Sequence, residues 1–337
     1  MWSERPILGI ETSCDDTCAA VVTPAGEIAS NVISSQARFH DRYGGVVPEV
    51  ASRHHLELIN AVVENALQDA GVELCDLAAV AVTSGPGLIG ALLIGLSAAK
   101  ALAASNSLPF VAVDHLQGHV AANFLQPDPT EPPFLCLIAS GGHTLLAQVE
   151  DHRGYRNLGE TRDDAAGEAL DKAARLIGLS YPGGAELDRL SRDGDPAAFP
   201  FPVGMKRADS LDFSFSGLKT AFAYKVRELG PEEARRRKAD LAASFQRAVV
   251  TSLVEKVEQA LDQTPVGKLA IGGGGAANSE LRERLTALCE RRGLELKVPP
   301  RELCTDNAAM IASAARYLEP VEHPRYLDFD AFARHAA

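Results

Sequence analysis

The sequence lacks the features that would direct the chain to a membrane or to an oxidising compartment. Its six cysteines are scattered and form no CxxC pair, which indicates reduced thiols rather than a disulfide framework or a zinc knuckle. The N-terminal residues MWSERPILG contain no apolar segment with a cleavage site, so no signal peptide is predicted. The most apolar run, GLIGALLIGLSAA at residues 87–99, is too short to span a membrane and favours a buried helix. We therefore expect a cytoplasmic protein with no membrane partner.

An excess of positive charge is also absent. The 337-residue chain has a formal net charge of −12, because 45 acidic side chains outnumber 33 basic ones. Contacts to phosphates require Lys and Arg, so a nucleic-acid substrate would need a local basic surface or one supplied by a partner. The densest basic cluster is ARRRK at residues 234–238, which we interpret as a solvated helix face.

What the sequence does contain is one order of predicted elements that occurs twice. Residues 7–114 give three short strands, a long helix after Pro48, a strand, a helix rich in small residues and a further strand. The order begins again at Phe134 and includes one long helix over residues 232–261 before a final helix near the end of the chain. Both halves therefore read βββαβαβ, with almost no sequence identity between them.

This repetition predicts two α/β subdomains. We expect the first to comprise residues 1–114 plus about 306–337. We expect the second to comprise residues 115–305, with a helical insertion at about 180–230. Two βββαβαβ subdomains that face each other across a cleft form the duplicated actin-like and hexokinase-like (ASKHA) fold, which is the predicted fold class.

Two kinds of turn in this pattern suggest a nucleotide or phosphate site. Each half opens with a hairpin whose turn is small and polar, TSCDD at residues 12–16 and ASGGH at residues 139–143, and such turns can hold phosphates through backbone N–H groups. The run AIGGGGAANSEL, residues 270–281, ends a strand and starts a helix, so the backbone can approach a ligand closely. It is neither a P-loop nor a dinucleotide fingerprint. A tight strand–helix turn is the structural alternative, with Asn278 as the helix cap or a ligand contact.

A pair of histidines raises the question of a metal site. The stretch VAVDHLQGHVAANF places His115 and His119 four residues apart, on one face of a helix. A zinc peptidase would have Glu after the first histidine as its general base, but the chain has Leu116 there. A third ligand is offered by Asp306 in CTDNAAM. Two imidazoles and one carboxylate with open positions suit Fe(II) or Zn(II) as a Lewis acid, although such a pair is also common without a metal.

The motifs together resemble one family, the tRNA N6-adenosine threonylcarbamoyltransferases once labelled O-sialoglycoprotein endopeptidases, and its bacterial branch in particular. They run in order from about residue 6 to about residue 330. The segments that carry the resemblance are GIETSCDDT, YGGVVPEVASR, SGPGLIGALLIG, HLQGH, SGGHT, DDAAGEALDKAARLIGLSYPGG, LDFSFSGLKT, GGAANSELR and CTDNAAMIA.

The resemblance implies a reaction, a metal and partners. The family transfers a threonylcarbamoyl group from threonylcarbamoyl-adenylate to N6 of the adenosine at tRNA position 37, just 3′ of the anticodon, in tRNAs that read codons beginning with A, and it releases AMP. It implies one iron(II) ion per chain, with zinc(II) as the alternative. It also implies tRNA as substrate, and a paralogous inactive subunit and a small ATPase as partners.

The resemblance also implies roles for particular residues. His115, His119 and Asp306 correspond to the metal ligands, and Asp15 corresponds to an acidic position near the reacting centre. Asp15 could take the proton from N6, orient a metal-bound water or hydrogen-bond the threonine moiety. The residues implied to bind the donor are Ile138, Ala139, Ser140, Gly141, Gly142, Asp171, Gly184, Asp188 and Asn278.

Three positions depart from the family pattern. Gly275 stands where an apolar residue is usual, which predicts a looser turn, while Asp16 replaces Glu and Ala308 replaces Gly.

Three other functions are alternatives to the one that the resemblance implies. A sugar or acetate-type kinase on the same fold would not explain the metal triad. A metallopeptidase lacks its glutamate base. A non-catalytic scaffold would have lost the metal ligands, which this chain keeps.

Overall fold

The chain divides into two compact units. A computed structural model describes residues 4–205 and 210–334. The first unit comprises Met1–Glu131, Asp151–Gly154 and Thr305–Ala337, and the second comprises Pro132–Glu150 and Tyr155–Cys304. Residues 1–3 and 335–337 of the predicted first subdomain, and residues 206–209 of the predicted insertion, lie outside the described residues.

The first unit is built on a five-stranded sheet. Its strands are β1 (Ile7–Glu11), β2 (Asp16–Val22), β3 (Ile28–Ser35), β4 (Ala79–Gly85) and β5 (Phe110–Asp114). Its helices are α1 (Ala37–Asp41), α2 (Pro48–Ala70), α3 (Ile89–Ser105), α4 (His115–Ala121) and α10 (Ala308–Ala315). The strand order is β3-β2-β1-β4-β5, with β1 antiparallel to β2 and parallel to β4. The carboxyl ends of β1, β4 and β5 therefore meet at one edge, where ligands bind in open α/β sheets.

The second unit repeats this topology. Its strands are β6 (Phe134–Ala139), β7 (Thr144–Asp151), β8 (Gly154–Glu160), β9 (Lys268–Gly272) and β10 (Glu295–Lys297). Its helices are α5 (Ala166–Leu176), α6 (Gly183–Ser191), α7 (Ser216–Arg236), α8 (Lys238–Gln263) and α9 (Ser279–Arg292). The strand order is β8-β7-β6-β9-β10, with β6 antiparallel to β7 and parallel to β9. The predicted repetition of βββαβαβ is thus confirmed.

Each unit has its own hydrophobic core. In the first unit, apolar residues of β1 and β4 pack against buried positions of α2 and α3. In the second unit, β6 and β9 pack against α5, α8 and α9, and a group of phenylalanines from residues 199–245 extends the core. Helix α2 shows why the sequence pattern was informative, because its buried residues follow one helical face.

Two sequence predictions differ from the structure. The predicted helix over residues 232–261 is two helical segments that meet at Arg237. Its predicted start agrees with the structure, because the non-helical Gly230 separates residues 231–236 from the part of α7 that begins at Ser216. The boundary between the units lies after Glu131 rather than after residue 114. The reason is that α4 packs against α10, and both belong to the first unit.

The basic cluster at residues 234–238 is only partly a solvated face. Arg235 and Arg236 are exposed, as predicted. Arg237 instead lies over the ring of Phe199 at 4.3 Å and pairs with Asp240 at 3.1 Å. Among the described residues, no helix combines the length and apolar character needed to cross a membrane.

Candidate functional site

Two histidines lie on the short helix that follows β5. Asp114 ends the strand and caps the helix, because its Oδ1 accepts a hydrogen bond from the backbone N–H of Gln117 at 2.9 Å. Helix α4 therefore begins at His115, and His119 follows one turn later. The two ring centroids are 4.7 Å apart, and both side chains are buried.

Asp306 reaches these histidines from the start of a different helix. Asn307 caps α10 by accepting a hydrogen bond at 3.0 Å from a backbone N–H of the first turn, which leaves Asp306 just before the helix. The thiol of Cys18 donates to the carbonyl oxygen of Asp306 at 3.7 Å. Oδ1 of Asp306 lies 3.3 Å from Nε2 of His119 and 3.6 Å from Nε2 of His115. The structure thus brings together the three predicted metal ligands.

Glycines allow the close packing that this arrangement needs. A Cβ on Gly118 of α4 would lie 2.7 Å from Cδ1 of Ile311 on α10. A Cβ on Gly9 of β1 would lie 2.4 Å from the carbonyl oxygen of Ala308 on α10. A side chain at position 9 would meet the backbone of α10 and push this helix away, whereas one at position 118 would displace the end of the Ile311 side chain. Gly9 in particular permits the close packing of α10.

The cluster fits a transition-metal ion. His115, His119 and Asp306 each offer one ligand atom, and these atoms all lie within 4.8 Å of one another. Both ring nitrogens of His119 are buried without a hydrogen-bond partner among the described residues. Buried polar atoms normally have a partner, so a ligand to Nε2 would satisfy an atom that the protein leaves unsatisfied. Two imidazoles and one carboxylate suit Fe(II) or Zn(II).

A buried carboxylate that the sequence analysis missed orients His115. Oε2 of Glu11 lies 3.0 Å from Nδ1 of His115 and accepts a hydrogen bond from Oγ1 of Thr83 at 2.6 Å. Burial lowers the pKa of His115, but the charges of Glu11 and Asp306 outweigh burial and raise this pKa to about 9. A carboxylate on the outer nitrogen of a metal-binding histidine fixes the ring and leaves Nε2 for the ion. The available sequence signal was an acidic residue at the end of an apolar strand.

Two further carboxylates lie in the first hairpin of the same unit. Asp15 belongs to the turn between β1 and β2, and Asp16 begins β2, where it pairs with Ser35 of β3. Burial and the charge of Asp306 raise the pKa of Asp15. Burial and the charges of Asp306 and Asp15 raise the pKa of Asp16 to about 7. Carboxyl groups with raised pKa values are suited to accept a proton near neutral pH.

The predicted donor-binding hairpin lies in the second unit. Ile138 and Ala139 end β6 and are buried. The backbone N–H of Ser140 donates to the carbonyl oxygen of His143 at 2.8 Å, which closes the turn. Gly141 and Gly142 are exposed at its tip, where a Cβ would meet open space. The tip of the turn is thus exposed to solvent.

The glycine run of residues 272–275 packs against this hairpin. A Cβ on Gly273 would lie 2.5 Å from the carbonyl oxygen of Ala139, and one on Gly275 would lie 2.7 Å from the same atom. Gly273 also has φ +79, a conformation that favours glycine. Gly275, which the sequence analysis expected to loosen the turn, instead makes a close backbone contact.

The other predicted donor-binding residues form two hydrogen-bonded groups. In one, Oδ1 of Asp171 accepts from the backbone N–H of Gly184 at 2.8 Å. In the other, Nδ2 of Asn278 donates to Oε1 of Gln246 at 2.8 Å, and Nε2 of Gln246 donates to Oδ1 of Asp188 at 3.1 Å. Gln246 could not be predicted from the sequence, because a buried glutamine on a long helix belongs to no recognisable motif.

Comparison with solved structures defines the class of the fold. The Acidaminococcus fermentans (R)-2-hydroxyglutaryl-CoA dehydratase component A aligns with a TM-score of 0.54 at 15% identity, over 96% of this chain and 99% of that chain. A ROK hexokinase from Thermus thermophilus aligns with a TM-score of 0.50 at 15% identity, over 92% of this chain and 98% of that chain. The chain is therefore an α/β protein of the duplicated ASKHA class, as predicted.

Sequence comparison then gives the family. The profile of the tRNA N6-adenosine threonylcarbamoyltransferases matches residues 27–313. A protein of that name from Clostridium botulinum strain 657 is 51% identical over 328 residues, which cover 96% of both chains. The chain belongs to the tRNA N6-adenosine threonylcarbamoyltransferase family, and the resemblance carried by its motifs is confirmed.

Proposed function

We propose that this chain transfers a threonylcarbamoyl group from threonylcarbamoyl-adenylate to N6 of adenosine 37 in tRNAs that read codons beginning with A. The observation that carries the proposal is a 51% identity to a tRNA N6-adenosine threonylcarbamoyltransferase over almost the whole of both chains. In this reaction the amine N6 bonds to the carbamoyl carbon, the bond from that carbon to the phosphate oxygen breaks, and AMP leaves. N6 loses one proton.

The metal belongs to the proposal as well. His115, His119 and Asp306 would hold one iron(II) ion, or alternatively zinc(II), because their ligand atoms cluster within 4.8 Å. When bound, the ion supplies Lewis-acid stabilisation of negative charge on the donor. Glu11 keeps Nδ1 of His115 occupied, so that Nε2 stays directed toward the ion.

Asp15 is the proposed acceptor of the N6 proton. Its carboxyl group lies in the hairpin of the unit that carries the metal ligands, and burial raises its pKa. A proton acceptor matters because an exocyclic aromatic amine is a weak nucleophile, and its nitrogen gains positive charge as the new bond forms. Asp16, whose pKa is raised to about 7, is the neighbouring candidate for the same role.

The second unit would hold the adenylate part of the donor. The exposed turn of Gly141 and Gly142 offers backbone N–H groups to the phosphate, and such groups stabilise negative charge on the departing AMP. The buried pair of Asp188 and Asn278, linked through Gln246, offers polar groups on a fixed framework. Asp171 with Gly184 provides a second fixed carboxylate.

The proposal also includes partners and a compartment. A paralogous inactive subunit and a small ATPase would work with this chain in the cytoplasm. The formal net charge of −12 supports a contribution from partners, because an acidic chain that acts on tRNA needs a local basic surface or one supplied by a partner.

A reconstituted reaction tests the function. The chain, the partner proteins, threonylcarbamoyl-adenylate and unmodified tRNA are combined, and the digested nucleosides are analysed by mass spectrometry. We expect threonylcarbamoyladenosine at position 37 and one AMP released for each transfer. A tRNA transcript with guanosine at position 37 serves as the matched control. Absence of the modified nucleoside with the wild-type chain would contradict the proposal.

A further inference from the structure

A buried histidine outside the metal cluster contacts both ends of the turn that carries Asp15 and Asp16. His55 lies on the buried face of α2 and is fully inaccessible to solvent. Its Nε2 is 3.0 Å from the carbonyl oxygen of Cys14, and its Nδ1 is 2.8 Å from Oγ1 of Thr17. One imidazole therefore bridges the residue before the two aspartates and the residue after them.

The partners of the ring determine its tautomer. A carbonyl oxygen only accepts hydrogen bonds, so Nε2 carries the proton and donates it to Cys14. Nδ1 then has only its lone pair to offer and accepts from the hydroxyl group of Thr17. The amide Nε2 of Gln36, 3.4 Å from Nδ1, is a second donor to the same atom. Burial lowers the pKa of His55, in agreement with a neutral ring.

A core histidine with satisfied hydrogen bonds can be purely structural, but the partners of this one are specific to the hairpin. The ladder between β1 and β2 ends at the pair Glu11 and Cys18, and the ladder between β2 and β3 reaches only to Asp16, so residues 12–15 depend on other contacts for their position. The backbone N–H of Gln36 donates to the carbonyl oxygen of Asp15 at 3.0 Å. His55 adds the contacts on either side of that residue.

We propose that His55 is a positioning residue for the transfer reaction, which acts by holding the turn of Asp15 and Asp16 in its reactive geometry. It does not touch the substrate. Its neutral ring donates one hydrogen bond to the carbonyl oxygen of Cys14 and accepts one from the hydroxyl group of Thr17. This inference rests on the proposed role of the hairpin carboxylates, and deepens it.

Substitutions that keep or remove the hydrogen-bond donor Nε2 and acceptor Nδ1 of His55 test its positioning role in the assembled complex. His55→Leu keeps an apolar core and removes both contacts, so we expect kcat to fall by about 100-fold, with the KM for tRNA changed less than about twofold. His55→Gln can donate to Cys14 and accept from Thr17, so it should recover most of that loss. His54→Leu, one residue away on α2 and partly exposed, is the matched control and should keep the wild-type kcat.

Thr17→Val provides an independent arm if the leucine variant fails to fold. It removes one hydroxyl group with little change in shape, and we expect kcat to fall by about tenfold, with recovery in Thr17→Ser. A folded His55→Leu protein with kcat within about twofold of wild type would overturn the inference, and so would an unaffected Thr17→Val protein. Nitrogen-15 NMR of labelled histidine should find the His55 ring neutral with its proton on Nε2. A cationic ring or a proton on Nδ1 would also overturn it.

Asp15→Asn and Asp16→Asn separate this inference from the proposed function. If each aspartate variant keeps the wild-type kcat, the proposed role of the hairpin carboxylates fails. If an aspartate variant loses activity while His55→Leu does not, the proposed role of the hairpin carboxylates is supported and the positioning role of His55 is refuted.

Discussion

Nε2 of His119 lies 3.3 Å from Oδ1 of Asp306, although the two residues belong to different helices at distant points of the sequence. Both helices are part of the first unit, and α10 packs against α4, β1 and β2. Two features fix the position of the Asp306 carboxylate. Asn307 caps the start of α10, and Gly9 and Gly118 allow β1 and α4 to pack closely against this helix. The candidate metal centre therefore depends on packing within one unit.

Removal of His119 should remove the metal. The wild-type chain, purified without chelator, is expected to contain about one iron or zinc ion, and His119→Ala little or none. Glu11→Gln keeps all three ligands but weakens the hold on His115, so metal affinity should fall by about 10- to 100-fold. Elemental analysis and competition with a chelator measure both effects. His54→Ala serves as the histidine control. A metal-free wild-type chain, or an unchanged metal content in His119→Ala, would refute the assignment.

A methyl group at Gly9 should disturb the same centre from a distance. In Gly9→Ala, the new Cβ would lie 2.4 Å from the carbonyl oxygen of Ala308 and 2.8 Å from the backbone nitrogen of Ala312. Backbone atoms cannot rotate away, so we expect a loss of about 1–3 kcal/mol in the free energy of unfolding. Displacement of α10 should also weaken metal binding.

Gly154→Ala is the matched control for this substitution. Its Cβ would meet no atom within 4 Å, so stability and metal affinity should both stay near wild type. Urea denaturation and metal titration compare the two variants. Equal stability of the two proteins would show that the contact at Gly9 does not constrain α10.

The sequence correctly predicted those elements that a local residue pattern specifies. Helix α2 follows a helical repeat of apolar residues, and the spacing of His115 and His119 alone suggested their shared face. The break at Arg237 has no local signal, because ARRRK consists of good helix formers. The long-range contact of Arg237 with the ring of Phe199 accompanies this break, and tertiary contacts of this kind can override helix propensity.

The buried hydrogen-bond partners of the site residues could not be predicted from the sequence for a related reason. Glu11 meets His115 across 104 residues and Thr83 across 72. Gln246 meets Asp188 across 58 residues. Glu11 is the single polar residue of β1, whereas Gln246 is one of many polar residues of α8, and only the folded chain brings either of them to its partners.

The cap on α7 should give a stability contribution that depends on pH. The carboxylate of Asp163 accepts hydrogen bonds from the backbone N–H groups of Phe215 and Ser216 at 2.8 and 3.1 Å, and from the hydroxyl groups of Ser214 and Ser216 at 2.6 and 2.7 Å. Burial opposes ionisation, but these hydrogen bonds outweigh burial and lower the pKa of Asp163 from 3.8 to about 2. Asp163 is exposed, so solvent screens its charge and limits what these hydrogen bonds contribute to stability. We therefore expect Asp163→Asn to lower the free energy of unfolding by only about 1 kcal/mol at neutral pH.

The sign of the pH effect follows from the lowered pKa. The stabilisation by Asp163 is fully present above the unfolded value of 3.8 and is lost as the pH falls toward about 2. The difference in stability between the wild type and Asp163→Asn should therefore be constant from pH 7 to about pH 5 and shrink below about pH 4. Chemical denaturation over this range measures it, with the exposed Asp69→Asn as control. A difference that already disappears between pH 7 and pH 5 would contradict the assignment.

Gln246 should be needed for donor binding although it carries no charge. It is buried, and it joins Asn278 to Asp188 through hydrogen bonds of 2.8 and 3.1 Å. In Gln246→Ala, Asn278 loses the acceptor of its amide, and an unsatisfied buried group costs about 1–3 kcal/mol. Asp188 loses one donor and keeps those of Ser279. We therefore expect the affinity for AMP, measured by calorimetry, to fall by about tenfold or more. The exposed Gln263→Ala, on the same helix α8, should leave that affinity unchanged. An equal affinity in the two variants would place the nucleotide elsewhere, since loss of the link between Asp188 and Asn278 would then have no effect on its binding.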